Sequence, residues 1–252
     1  PDSKLDGEPG NPNSAVYDIV EVLSTTKVRI HPPAKADGSA SYSIGRRCYG
    51  KFSVSNCDFF LLDTRSHRNL HNVDKPANPK ATMLGKQQLK WLKDSISKSK
   101  SDFIFIVSSV NFMVPHVGSG GGDDKQLTIK KDDAWTVFLK EREELIDFWD
   151  KLDKGIFVLT GDLHNSFAIK ITDNVYEFAS GPHNSINHAP MKDEGGRPAN
   201  GRFKYGPRAC DIRWSSYAMA DIPRANRTFP HYCVVQVNNV FNNPVERNGE
   251  RW

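Results

Sequence analysis

The 252-residue sequence predicts an α/β fold: a mainly parallel, right-handed sheet followed by a smaller antiparallel portion. Three observations predict it. Cys57–Leu62 (CDFFLL), Phe103–Val107 (FIFIV) and Ile156–Leu159 (IFVL) are short, continuously apolar runs, as expected of strands covered on both faces. Each gives way to chemistry-bearing residues: Asp63-Thr64-Arg65, Ser108-Ser109-Val110-Asn111 and Thr160-Gly161-Asp162-Leu163-His164. Helical periodicity fills the gaps between the runs, and strand–helix–strand alternation implies parallel strands with right-handed crossovers.

Residues 1–40 read as an irregular lead-in. Positions 1–14 are rich in Pro, Gly, Asn and Asp, with Leu5 the lone large apolar residue. The opening Pro1-Asp2-Ser3 is no signal peptide and lacks an initiator Met, as in a processed or truncated chain. Over Ala15–Ile30 helix and strand are not separable, and His31–Ser39, with Pro32, Pro33 and Gly38, reads as loop. Residues 41–252 form the main domain. Ser41–Phe52 alternates like a strand. Leu84–Ser97 is a helix with Leu89, Leu92 and Ile96 on one face. Ala134–Leu152 is a second, with Trp135, Phe138, Leu145, Trp149 and Leu152 at steps of three and four, Asp133 as N-cap and Gly155 after its end. Beyond His164, Ser166–Ile171, Val175–Ala179, Tyr217–Ile222 and Tyr232–Val237 read as shorter strands, with a turn at Thr172-Asp173-Asn174. Ser119–Asp124 (SGGGDD) is a flexible loop, and 181–216, rich in Gly, Asn, Pro and Arg, a long one of the kind that often carries function.

Composition excludes several classes. Apolar residues at 38% and charged residues at 25% are a globular balance, not a disordered one. The apolar runs fall far short of the ~18 residues a membrane helix needs. The net charge of +4 is spread along the chain with no basic block, which gives nucleic-acid binding little support and leaves an anionic small substrate open. Four cysteines form no C-x-x-C zinc pattern. They are either free thiols or one or two disulfides, for which Cys48–Cys57 and Cys210–Cys233 are the sequence-local pairings.

In parallel sheets ligands bind beyond the carboxyl ends of the strands, so the three polar strand ends are the place to look. The sharpest is Gly161-Asp162-Leu163-His164, a carboxylate and an imidazole two residues apart, which suits a divalent or trivalent metal. Arg142 stands on the apolar face of the second helix; it either snorkels to solvent or is buried and paired with a carboxylate such as Asp63. Arg65 and Arg68 with His67 and His71 form a cationic cluster that is either a solvated loop or an oxyanion clamp. His183 and His188 lie five apart in a Gly/Pro/Asn loop, and His116 precedes the Gly-rich loop. No G-x-S-x-G, Walker A or G-x-G-x-x-G pattern occurs.

Five blocks in order carry a resemblance: Phe59-Phe-Leu-Leu-Asp63-Thr-Arg65; Leu84-Gly-Lys-Gln-Gln-Leu-Lys-Trp-Leu92; Phe105-Ile-Val-Ser-Ser-Val-Asn111; Asp133-Ala-Trp135 with Glu141-Arg142; and Leu159-Thr-Gly-Asp162-Leu-His164. The sequence resembles the alkaline phosphatase D-like (PhoD-like) metallophosphoesterases over roughly residues 41–190. The resemblance implies a calcineurin-like sandwich of two mixed sheets flanked by helices. It implies hydrolysis of phosphate monoesters or diesters at a two-metal centre, iron and calcium, with a metal-activated water or hydroxide. Asp162 and His164 would be metal ligands. Arg65 and Arg142 fall in matched blocks, though their roles rest on the physical reading. On these grounds Arg65, Asn111 and Arg142 are candidate catalytic residues, and Arg65, His183, Arg208 and Arg213 candidate substrate-binding residues.

The resemblance has a gap. The family's early strand-end cysteine motif, its G-D-x-x-Y-like motif and its Asn-containing block are not found, and Cys48 and Cys57 precede the Asp63-Thr-Arg65 strand end too closely to replace the first. The sequence therefore reads as the carboxyl-terminal half of such a domain, its partner being the amino-terminal half, as a separate chain or as a further segment of the same enzyme. The family is commonly exported, implying a secreted or periplasmic protein. Two other readings stay open: a non-catalytic half-domain acting as a binding or structural module, and a single-metal site built from Asp162, His164 and either His183 or His188.

Overall fold

A computed structural model describes residues 12–13, 15–39, 42, 44, 48–69, 75–116, 134–217, 221–237, 246–247 and 250–251. The ambiguous Ala15–Ile30 segment is strand: β1 (Asp18–Ser24) and β2 (Lys27–His31) form an antiparallel hairpin whose residues are nearly all exposed. The main sheet then assembles from β3 (Gly50–Val54), β4 (Cys57–Leu61), β5 (Phe103–Val107), β6 (Gly155–Thr160), β7 (Phe167–Lys170), β8 (Val175–Ala179), β9 (Gly201–Tyr205) and β10 (Arg208–Ser215). Its order is β3-β4-β5-β6-β8-β7-β10-β9. β4, β5, β6 and β8 are parallel, as the apolar runs predict, and the outer strands pair antiparallel. Helix α1 (Gly85–Ser97) links β4 to β5, and α2 (Leu139–Asp150) lies between β5 and β6.

Strand pleating sorts the side chains onto two faces. One face sends Phe60, Ile104, Ile106, Ile156 and Val158 into a core shared with Leu92 and Ile96 of α1 and Leu145 and Trp149 of α2. The other carries a single cross-strand row, Phe52, Phe59, Phe105, Phe157 and Tyr176, each the register partner of the next. Their rings stack at centroid separations of 4.7 Å (Phe52–Phe59), 4.7 Å (Phe59–Phe105) and 5.3 Å (Phe105–Phe157). Phe52 and Leu61 on this side are exposed, at 49% and 40%. Among the described residues no helix is long and apolar enough to cross a membrane.

Five expectations need correction. The second helix does not run unbroken from Ala134: Trp135–Val137 is a 3₁₀ turn, and Phe138 breaks the path before α2. The amides there serve tertiary partners, Trp135 N donating to the Asn111 carbonyl and Leu139 N to that of Pro76. Asp133 lies outside the described residues, as does Ser119–Asp124. Of Ser41–Phe52, only Gly50–Phe52 is strand among the described residues. The supposed 181–216 loop holds a short helix α3 (Pro190–Asp193) and the β9–β10 hairpin, which turns tightly at Gly206-Pro207 with Gly206 at φ 71°. Tyr232–Val237 is not strand, and most of it is exposed. Tyr217 and Asp221–Ile222 are not strand either, residues 218–220 lying outside the described set. No disulfide joins the four cysteines; Cys57 and Cys210 are buried, and burial pushes the Cys210 thiol up to about 12.

Candidate functional site

The parallel strands end along one edge of the sheet, and four segments meet there: 62–65 after β4, 108–116 after β5, 161–165 after β6 and 180–188 after β8. The ladder runs on past the strands to hold them, Leu62 N donating to Val107 O, Ser108 N to Leu159 O and Ser180 N to Thr160 O.

Asp63 and Asp162 are the strand-end carboxylates, and they differ in kind. Asp63 is buried, and its Oδ1 accepts the amides of Arg65 and Ser66 at 2.9 Å each. Burial pushes its pKa up, but these amides outweigh that and hold it below the ordinary value. The Gln88 side chain of α1 clamps the same turn, accepting from Asp63 N at 2.8 Å and donating to Asp63 O at 2.9 Å. Asp63 is thus a turn-maker. Asp162 sits at φ 67°, a left-handed conformation costly for a residue with a Cβ. Its two oxygens face Arg65 Nη2 at 3.9 Å and His116 Nδ1 at 4.0 Å, both beyond hydrogen-bond reach.

Three imidazoles stand together beside it. His164 and His188 stack at 4.5 Å and 16°, and His188 lies 5.2 Å from His116. His164 Nδ1 is 2.7 Å from the Ile186 carbonyl. A carbonyl only accepts, so Nδ1 carries the proton and Nε2 the lone pair, the tautomer of a metal-ligating histidine. His188 Nδ1 is 3.5 Å from Glu194, a fully buried carboxylate also bound by Arg197 and, at 2.7 Å, by Asn165. Burial alone would raise the Glu194 pKa; His188, Arg197 and Asn165 outweigh it and hold it below the ordinary value. Asn187 extends this polar underlay, donating to Asn165 at 3.0 Å.

The other candidates fall in three places. Asn111 is fully buried at the same edge, with no hydrogen bond to either amide atom among the described residues; such an orphan costs about 1–3 kcal/mol. Arg142 is also fully buried, but its partner is Glu143, with Tyr205 O at 3.1 Å, and not Asp63. Arg208 joins the same knot, donating to Glu143 at 2.6 Å and Asp147 at 2.5 Å, so these two arginines brace α2 against the β9–β10 hairpin. Arg213 is exposed on β10 and pairs with Asp211 at 2.7 Å. His183 is exposed, and the structure brings His188 rather than His183 to His164. Arg197, counted among the loop arginines by sequence, is a buried anchor over the rings of Phe167 and Tyr217. Among the described residues no group of three or more His, Cys, Asp or Glu side chains is placed to hold a metal ion.

Sequence reasoning missed Glu177 and Glu194. The signal for Glu177 was a carboxylate at an inward position of the Val175–Ala179 strand; Glu194, in a Gly-rich loop, carries no such mark.

Comparison with known proteins now bears on this edge. Residues 31–207 match a family model described as PhoD-like phosphatase. Alkaline phosphatase D of Bacillus subtilis (strain 168) is 29% identical over 130 residues, covering 48% of this chain and 21% of that protein. A solved structure, "Structure of PhoD", aligns over 68% of this chain and 42% of its own, with a TM-score of 0.47 and 22% identity. The chain thus spans about a fifth of the curated relative it matches. The family model covers more than half of the chain, from the end of β2 to the β9–β10 turn, and the chain belongs to the PhoD-like phosphatase family.

Proposed function

We propose that this chain supplies the carboxyl-terminal part of a metal-dependent hydrolase of phosphate monoesters or diesters, the remaining ligands coming from an amino-terminal segment. The observation that carries the reading is Asp162: a carboxylate held at φ 67°, with no hydrogen bond to it among the described residues, next to a histidine in the ligating tautomer. These two donors fit the expected metals, and His164 Nε2 and the Asp162 carboxylate would contribute to holding them. When bound, the two ions, iron and calcium by the family resemblance, would lower the pKa of a water nucleophile and offset phosphoryl charge. Arg65, half-exposed and 3.9 Å from Asp162, is placed to meet phosphoryl oxygens with a planar donor pair. His116 and His188 wall the other side, His116 being buried.

The sandwich reading is supported by the aromatic row: a sheet with helices on one face and a stacked apolar row on the other suits a second sheet packed about 10 Å away. An exported, extracytoplasmic setting is part of the same proposal.

The test is reconstitution. Mass measurement of the undenatured assembly identifies the amino-terminal partner. With it present, the protein is expected to hydrolyse a nitrophenyl phosphate mono- or diester and to lose that activity with a chelator. Asp162→Asn and His164→Ala should each reduce kcat at least ~100-fold with loss of bound metal, more than an outer partner costs. Retention of both metal and activity in those variants would sink the reading, as would metal loss on His183→Ala.

A further inference from the structure

Glu177 is misplaced by every rule of strand patterning. Across the six inner strands of the sheet its register row is Phe60, Ile106, Val158, Glu177, Ile169 and Ile212, five apolar residues and one carboxylate, with Lys51 and Gly201 on the two edge strands. It is fully buried. A carboxyl group in the middle of an apolar face persists only where its hydrogen bonds are made and something is gained by it; burial pushes the Glu177 pKa up against the opposing pull of the Phe112 and Met113 amides, Thr160 and Arg142.

Its bonds show what is gained. Oε1 accepts from Phe112 N at 2.7 Å and from the Thr160 hydroxyl at 2.9 Å, and Oε2 accepts from Met113 N at 2.8 Å. The two amides belong to the segment after β5, one and two residues past Asn111 and a few before His116. Thr160 stands two residues before Asp162. One carboxylate on β8 therefore ties together the two segments that bring His116 to Asp162. Among the described residues the Asn111 side-chain amide makes no bond, so its place is set by backbone bonds around it, Trp135 N donating to its carbonyl and the Glu177 grip on the next two amides.

We propose that Glu177 is a positioning residue, setting His116 against Asp162, and Asn111 at the same strand-end edge, by gripping the backbone of the β5 exit and the Thr160 hydroxyl together. Its consequence for catalysis rests on the hydrolase reading above; its structural content does not.

The experiment uses the full 252-residue chain, isotopically labelled, and compares wild type with Glu177→Gln and Thr160→Val. Glutamine keeps the shape but turns an acceptor into a donor facing the amides. Expected for Glu177→Gln are at least ~10-fold faster hydrogen exchange at Phe112 and Met113 and loss of the His116–His188 ring cross-peak. The His164–His188 cross-peak and the protection of Ile104 and Ile156 amides should persist. Thr160→Val, which removes one bond of three, is expected to give a partial loss and decides the matter if the glutamine variant does not fold. An unchanged His116–His188 cross-peak would overturn the proposal, as would equal loss of protection across β5 and β6, the mark of a merely structural role. In the reconstituted enzyme, Glu177→Gln is expected to lower kcat ~10-fold or more with KM unchanged. A wild type without activity would instead count against the hydrolase reading, leaving the spectroscopic result to stand on its own.

Discussion

Asp162 and Ser55 are the non-glycine residues with positive φ among the described positions. Ser55 belongs to the two-residue turn between β3 and β4, where such a conformation is required by the hairpin. Asp162 is the middle residue of a three-residue γ-turn closed by Leu163 N donating to Gly161 O at 2.8 Å, the rare and strained kind with positive φ at its centre, here at a strand end beside a histidine pair. The physical argument yields a stability test. Glycine carries no Cβ and relieves the left-handed cost, whereas alanine keeps it while also removing the carboxylate. Asp162→Gly is therefore expected to be about 1 kcal/mol more stable than Asp162→Ala in thermal denaturation, with both losing the metal binding proposed above. Equal melting temperatures would show that the backbone is not strained there.

Individual elements are joined by buried carboxylates used as acceptors. Glu141 of α2 accepts the amides of Met83 and Leu84 just ahead of α1, fixing one helix on the start of the other; burial pushes its pKa up. Asp58 of β4 collects Lys51 at 2.6 Å from β3, Ser53 at 2.5 Å and Ser99 at 2.5 Å from beyond α1. Burial would raise its pKa, but Lys51, Ser53, Ser99 and Ser101 outweigh it and bring it to about 2. A carboxylate depressed on folding stabilises above its unfolded pKa, and that contribution is lost as pH falls through the folded value. Asp58→Asn should therefore cost about 2 kcal/mol near neutrality, the worth of hydrogen bonds to a charged group. The difference from wild type should shrink as the pH is lowered from about 4 toward about 2. A pH-independent difference would mean that Asp58 acts by shape and not by charge.

At the scale of the whole molecule, among the described residues one face of the sheet packs under α1 and α2 and the other leaves apolar side chains exposed at its β3–β4 end. The helix-covered face buries Phe60, Ile104, Ile106, Ile156 and Val158 almost completely, while Phe52, Val54 and Leu61 on the opposite side stay exposed. An apolar surface of that extent on a folded chain is a binding surface or an association hazard. If the proposed amino-terminal segment packs there, the chain alone should bind an apolar-surface dye and self-associate, and adding that segment should abolish both. Phe59→Ser with Phe157→Ser should weaken the pairing ~10-fold or more, since each removes buried ring area. Dye binding unaffected by the added segment would place the segment elsewhere.

What was legible by sequence was whatever depends on short-range pattern. The three apolar runs became three parallel strands, and Leu84–Ser97 became α1, because continuous apolar strands and a 3.6-residue period report burial directly. The Gly161-Asp162-Leu163-His164 motif was legible as a motif at a strand end, but its extended spacing was not kept: Asp162 at φ 67° and the bond from Leu163 N to Gly161 O turn the chain there. The β9–β10 hairpin was also written in the sequence, as alternation around Gly206-Pro207, but was hidden by the glycines and arginines of the loop before it. What only the tertiary structure decided was partnership across distance. Arg142 found Glu143 and Arg208 rather than Asp63; His116 and His188 arrived beside Asp162 from segments 46 residues before it and 26 after. Glu177 and Glu194 acquired their roles from backbone amides, histidines and amides of side chains brought to them by the sheet. The reason is physical: a buried polar group is stable only with its bonds made, and the groups that make them are chosen by the packing of strands, not by their order along the chain.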